Sequence, residues 1–118
     1  MEILSVDHQN RYERYIAKDK TSEKDIERLT LFFIISGNER LSSHVEEIYD
    51  FNDHFIKLNI FDSVGFSSSE KGLLELALNL YNNYSNNDSM YSVFELFSHL
   101  DDKNFKLALD AIRLRFSD

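Results

Sequence analysis

The chain has 118 residues, enough for one domain (residues 1–118) and too few for two independent cores. Apolar residues make up 42% of it and acids outnumber bases 21 to 13, for a formal charge of −8, so the chain is expected to fold and its surface to repel the phosphate backbone of a nucleic acid. It has no cysteine, which removes disulfides, thiol nucleophiles and Cys-based zinc sites; the longest apolar run, Leu31 to Ile35, is far short of a membrane span. The first residues, Met1-Glu2-Ile3-Leu4, lack the basic start of a secretory signal, so the expected location is the cytoplasm of a host cell.

With no proline and only Gly37, Gly65 and Gly72, the punctuation of multiple tight β-turns is missing, and helices are expected. Asp7 can cap a first helix running through Tyr12, Tyr15 and Ile16 to about Lys18. A second starts near Ser22, continues through Ile26, Leu29, Phe33 and Ile34, and stops at Gly37. Leu41, Val45, Ile48 and Tyr49 recur at i, i+4, i+7 and i+8, which predicts a third helix from about Asn38 to Tyr49.

From Asp50 to Phe66 the periodicity fails, while Phe55, Ile56, Leu58, Ile60 and Phe61 are too apolar for a mobile linker; a packed irregular segment or short strand is expected. Ser67 and Glu70 form a capping box, and the wide apolar face that follows, Leu73 to Tyr81, predicts the central helix of the fold. After the polar run Asn82 to Ser89, read as an exposed loop, Val93, Phe94, Phe97 and Leu100 mark a fifth helix. Asp101 and Asp102 then open a sixth carrying Phe105, Ala108, Leu109, Ile112 and Phe116. The fold class is therefore all-α (mainly α), a compact bundle of about five to six helices with one irregular or short-strand segment around residues 50–66.

Three scattered glycines make neither a dinucleotide fingerprint nor a phosphate-binding loop, and no histidine lies in an HExxH motif. The densest titratable stretch holds His44, Glu46, Glu47, Asp50, Asp53 and His54 without an intervening base up to His54. His44, Glu47, Asp50 and His54 are metal-ligand types, but their spacing matches no closed structural site, so neither metal nor cofactor is expected. The acids Glu46, Glu47, Asp50 and Asp53 have two readings: a solvated helix face, or a line of carboxylates that imitates phosphates and occupies a basic groove. Tyr84 and Tyr91, beside the Asn-rich run, are candidate contact anchors, although a tyrosine there can equally lie over the core edge.

The segments Phe32-Phe33-Ile34-Ile35-Ser36-Gly37-Asn38, Ile48-Tyr49-Asp50-Phe51-Asn52-Asp53, Leu76 to Asn82, Leu100 to Phe105 and Ala111 to Phe116 carry a resemblance. Over Glu23 to Phe116 the chain resembles an uncharacterised family of small phage and prophage proteins of Gram-positive bacteria. That family brings no catalytic residues with it; its members often carry Trp before the capping box and have a shorter Asn-rich loop, and this chain departs at both places. The resemblance implies a phage context, in which small acidic proteins without enzyme motifs often bind host proteins, CRISPR nucleases among them. The expected function is thus a non-enzymatic inhibitor, anti-CRISPR-like, that presents its acidic face to a nucleic-acid-binding defence nuclease and touches neither nucleic acid nor membrane itself. The alternatives are an assembly module acting through homodimer or hetero-oligomer formation and, more remotely, a metal-dependent enzyme.

Overall fold

The structure is a computed structural model that describes residues 5–57, 59–60, 64–83 and 92–117. Among these residues the chain forms seven helices and one two-stranded sheet: α1 Val6–Asp19, α2 Ile26–Gly37, α3 Glu39–Ser43, α4 Val45–Ile48, β1 Tyr49–Asp50, β2 Phe55–Ile56, α5 Ser68–Asn82, α6 Val93–Ser98 and α7 Asp102–Phe116. The mainly helical class and the short strands in the irregular segment are as the sequence predicts. No helix among the described residues is long and apolar enough to cross a membrane.

The centre of the fold is α2, not the helix that follows the capping box. Every residue from Thr30 to Gly37 is buried, because the run Leu31-Phe32-Phe33-Ile34-Ile35 is apolar around the whole circumference of the helix and must be covered on all sides. α1, α5 and α7 supply that cover, with α3 at its end. Each fully buried side chain in the run stabilises the fold by about 1.5–3 kcal/mol, more than the net value of most single hydrogen bonds. α2 therefore holds the globule together, and polar contacts decide where the peripheral pieces sit.

Caps fix the helix starts, and several lie a few residues from where the sequence places them. Ser5, rather than Asp7, caps α1 by accepting from the His8 N–H, and Asp7 falls in the first turn. Ser22 heads a turn, with its carbonyl accepting from Asp25 N–H, and Asp25 is the true cap of α2. The capping box of Ser67 and Glu70 opens α5 as predicted, and a second one, Ser92 with Glu95, opens α6.

The third predicted helix is broken. His44 leaves helical geometry between α3 and α4, and Tyr49 passes into β1, where the pairing Tyr49 with Ile56 and Asp50 with Phe55 forms a hairpin. α2 ends at Gly37 as predicted, although the glycine has no positive φ. It is small for a packing reason: a Cβ there would lie 2.4 Å from Leu107 Cδ1 and 2.8 Å from His8 Cε1, where α1, α2 and α7 meet.

Helix α7 buries a different face from the one its spacing suggests. Leu107, Ala108 and Ala111 are buried, whereas Phe105, Leu109 and Phe116 are exposed, as are Val93 and Phe94 of α6. Asn104, at the buried start of α7, accepts from Asn38 Nδ2 at 3.1 Å and donates to Ser69 Oγ at 3.1 Å, so one polar side chain fixes α7 against both α3 and α5. The Asn-rich run from 84 on, with Tyr84 and Tyr91, and the apolar residues Leu58 and Phe61 lie outside the described residues.

Candidate functional site

The hairpin is held to the body of the protein by one buried polar cluster. Asp19, the last residue of α1, accepts from Tyr49 Oη at 2.7 Å and from His54 Nδ1 at 2.6 Å on one oxygen, and from Thr21 Oγ1 at 2.6 Å on the other. Burial by itself would raise the Asp19 pKa; the three donors outweigh it and hold the carboxyl below its ordinary range, so it is a carboxylate near neutrality and His54 Nδ1 carries the proton between them.

Arg28 completes the cluster from α2. Its Nε donates to Tyr49 Oη at 3.0 Å, Nη1 to Asp25 Oδ2 at 2.8 Å, and Nη2 to the His54 carbonyl at 3.2 Å. Tyr49 is fully buried, and burial followed by the neighbouring Asp19 carboxylate pushes its phenol pKa well up. The phenol is thus neutral and serves as a relay of hydrogen bonds from guanidinium to carboxylate. His54 makes this possible by taking the left-handed conformation, φ 59°, at the end of the turn.

The turn is closed from within. Asp50 Oδ1 accepts from the N–H groups of Asn52 and Asp53, both at 2.9 Å; the Asp53 bond is the main cause that holds the Asp50 carboxyl below its usual pKa, against an opposing desolvation and helped by the Asn52 bond. Phe51 folds back from the turn, stacks on Phe32 with centroids 5.8 Å apart, and meets Tyr49 edge-on at 5.1 Å. A short hairpin that would be marginal alone is in this way docked on both its polar and its aromatic side.

Beside this hairpin, between α1 and the α3–α4 segment, runs a groove of about 450 Å³ also lined by Tyr15 and Phe51. Arg14 and Lys18 of α1 line one wall, and the opposite wall is the stretch from Ser42 to Glu47. A shallower extension of about 250 Å³ continues past Lys18, Glu46 and Phe51 to Asp50, Asn52 and Lys57. The volume is in the range of a small-ligand cleft, and the charges across it are mixed rather than uniformly acidic.

The structure brings Glu46 and Glu47 to the rim of the groove and Asp50 and Asp53 to the adjoining turn. Each of the first three has an internal partner. Lys18 Nζ lies 2.5 Å from Glu46 Oε1, and that hydrogen bond, then the charge, lowers the Glu46 pKa. Glu47 Oε1 lies 2.7 Å from His44 Nδ1, and Asp50 holds the turn. Glu46 and Glu47 nevertheless remain exposed, at 71% and 54% of their side-chain surface.

His44, Glu47, Asp50 and His54 do not converge: His44 faces Glu47, His54 faces Asp19, and Asp50 is used by its own turn. Among the described residues no group of three or more such side chains is placed to hold a metal ion. Of the described residues that line the groove, Ser42 Oγ bonds the Tyr15 hydroxyl and Ser43 Oγ donates to the Arg40 carbonyl at 2.8 Å, so neither hydroxyl is bonded to a base. Asp19, Arg28 and Tyr49, which fix the geometry of the whole region, are not singled out by the sequence; the bonds that tie them to one another and to His54 Nδ1 span 21 to 35 positions, and no local spacing announces them.

A family model described as a family of unknown function (DUF6075) matches residues 1–118. The chain belongs to that family. No curated protein and no solved structure matches it. Membership in the DUF6075 family extends over the whole chain and includes every residue of the groove and hairpin.

Proposed function

We propose that this DUF6075 protein is a non-enzymatic, phage-encoded binding protein that inhibits a host protein by seating Glu46, Glu47, Asp50 and Asp53 against a basic surface. The observation that carries this reading is the pairing of exposed carboxylates with a fixed backbone. Glu46 and Glu47 stand on the groove rim and Asp50 and Asp53 on a turn that the Asp19 cluster and the Phe51 stack hold in place. A surface ordered before binding loses little conformational entropy on association, so modest charge complementarity yields useful affinity.

A nucleic-acid-binding nuclease of a defence system is the class of partner that fits. Its groove is built to hold a line of phosphates, and a net charge of −8 steers the chain toward such a surface. Support for a non-enzymatic role comes from how the titratable residues of the region are spent: they hold the hairpin, the turn and each other. A phage origin rests on the sequence resemblance, and Tyr84 and Tyr91, outside the described residues, stay as candidate contact anchors.

The test is affinity capture from a host lysate with wild-type protein and with a variant carrying Glu46→Gln, Glu47→Gln, Asp50→Asn and Asp53→Asn. Asn at 50 keeps an acceptor for the turn, so the fold is retained. The expected result is a nucleic-acid-binding protein held by the wild type and lost by the variant, whose nuclease activity the wild-type chain suppresses. Equal retention by both chains, or retention without suppression, would remove the reading.

A further inference from the structure

A smaller cleft of about 160 Å³ lies where α1 and α7 meet the end of α2 at Gly37. Ser5, the cap of α1, lines it with His8 and Arg11, and α7 contributes Lys103, Lys106 and Asp110. A chain whose net charge is −8 thus gathers three of its 13 lysines and arginines in one recess, which is positive where the surface as a whole is negative.

Two of these cations have bonding capacity to spare. Arg11 Nε donates to the Ser36 carbonyl at 2.8 Å, which fixes the guanidinium against the end of α2. Its two terminal nitrogens have no hydrogen-bond partner among the described residues, and neither has the Lys103 ammonium. Ser5 Oγ accepts from the His8 N–H at 3.1 Å and keeps its own proton to donate. Asp110 is the acid in the lining; it is buried, and Arg113 Nη1, 3.5 Å away, offsets its charge. His8 registers the balance. Burial chiefly lowers its pKa and the bond to the Phe33 carbonyl opposes; among the charges, Arg11 lowers it more than Asp110 raises it, and Lys103 adds to Arg11.

We propose that this cleft binds a phosphate group, either the free ion or the end of a small phosphorylated molecule, between Arg11, Lys103 and the Ser5 hydroxyl. A guanidinium anchored through Nε presents its other two nitrogens as a ready fork, and Lys103 supplies a point charge from the α7 wall. Donors on both walls suit the oxygens of a tetrahedral anion better than the single plane of a carboxylate. The recess is smaller than the pockets that enclose drug-sized ligands, so it takes the phosphate and leaves the rest of any larger molecule in solvent. None of its residues belongs to the groove or the hairpin turn, and the site does not depend on the acidic surface.

Two-dimensional NMR of the full nitrogen-labelled chain at low ionic strength tests the proposal, with inorganic phosphate and glycerol phosphate as separate probes. The amide resonances of Ser5, His8 and Lys103 should shift saturably, with a dissociation constant of about 1 mM or tighter. Saturation by inorganic phosphate alone makes the ligand the free ion, by the ester alone a phosphorylated molecule, and by both the phosphate group whatever carries it. Lys103→Gln alters an exposed side chain, so the fold is retained, and it should raise the dissociation constant about fivefold. Arg11→Gln should raise it about tenfold. Lys24→Gln, an equal loss of charge at an exposed position outside the cleft, should leave it unchanged. In saturating probe, the His8 Cε1–H resonance should titrate at a higher pH than in chloride of equal ionic strength, because the bound anion offsets Arg11 and Lys103. No saturation by either probe up to about 20 mM, equal weakening by Lys103→Gln and Lys24→Gln, or a His8 titration indifferent to the bound probe would overturn the proposal.

Discussion

The Tyr49 hydroxyl donates to Asp19 at 2.7 Å and joins the end of α1 to the first residue of β1, 30 positions later. With Arg28 Nε donating to the same hydroxyl at 3.0 Å, the bond sets where the hairpin stands and hence where its turn presents Asp50 and Asp53. Tyr49→Phe keeps the ring against Phe32 and Phe51 and removes only this relay. Hydrogen bonds to charged groups contribute about 1.5–3 kcal/mol each, so a loss of about 2 kcal/mol is expected in urea denaturation. Amide exchange at Lys57, whose N–H bonds the Ile48 carbonyl across the hairpin, should accelerate more than exchange within α5. A change in stability below about 0.5 kcal/mol would show that packing alone seats the hairpin.

Acid should destabilise the protein in two separate windows. Burial chiefly lowers the pKa of His8, against an opposing bond to the Phe33 carbonyl, so the fold prefers the neutral ring. Its contribution is complete above the unfolded value of 6.5 and is lost as pH falls from there through the lower folded value. Asp19 also has a depressed folded pKa; its contribution is complete above the unfolded 3.8 and is lost at still lower pH. His8→Gln keeps a donor for the Phe33 carbonyl, 2.9 Å away, but cannot titrate. Urea midpoints at pH 7 and pH 5 should differ for the wild type and converge for this variant, and an unchanged difference would place the first window elsewhere.

Two glycines should respond in opposite directions to alanine. At Gly37 the new methyl meets Leu107 and His8 at 2.4 and 2.8 Å, and overpacking of this kind costs about 1–3 kcal/mol, more than the helix propensity gained. At Gly72, inside α5, the nearest atoms are 3.6 and 3.8 Å away, so only the propensity gain of about 0.5–1 kcal/mol remains. Thermal melts should show Gly37→Ala lowered and Gly72→Ala raised. Combining Gly37→Ala with Leu107→Ala should cost less than the sum of the two, because the shortened side chain clears the closer of the two clashes and leaves only the one with His8.

What the sequence discloses about this fold is what neighbours within a few residues decide. The Ser67 and Glu70 capping box is visible because its two bonds join positions three apart, and the apolar run in α2 is visible as a run. The hairpin is not, because Asp19, Arg28 and Tyr49 meet only after the chain has folded, and the spacing of Leu41, Val45, Ile48 and Tyr49 suits one unbroken helix. Phe105, Leu109 and Phe116 read as core for a related reason: helical spacing reveals an apolar face but not which of two faces the body of the protein covers. The acidic stretch was legible as a cluster of charges. Its pairing with Lys18, 28 positions from Glu46, and the commitment of Asp50 to its own turn were not.

That pairing gives the acidic surface an internal control. Lys18→Gln removes the cation that neutralises Glu46 while leaving the exposed carboxylate in place, so binding to a basic partner should tighten, whereas Glu46→Gln should weaken it. Both side chains are largely exposed, and neither change should move the melting temperature appreciably. Calorimetric titration of the partner into each variant reads the two shifts, and shifts of the same sign would show that charge at this rim does not govern binding.

The most direct measurement is the affinity of the captured complex as salt rises from about 0.1 to 1 M, over which the screening length falls from about 10 to 3 Å. If Glu46, Glu47, Asp50 and Asp53 meet a basic groove, affinity falls steeply over that range, and the quadruple amide variant starts weak and stays nearly flat. An affinity that holds through the range, or a variant that follows the wild type in parallel, would contradict a binding surface built on these carboxylates.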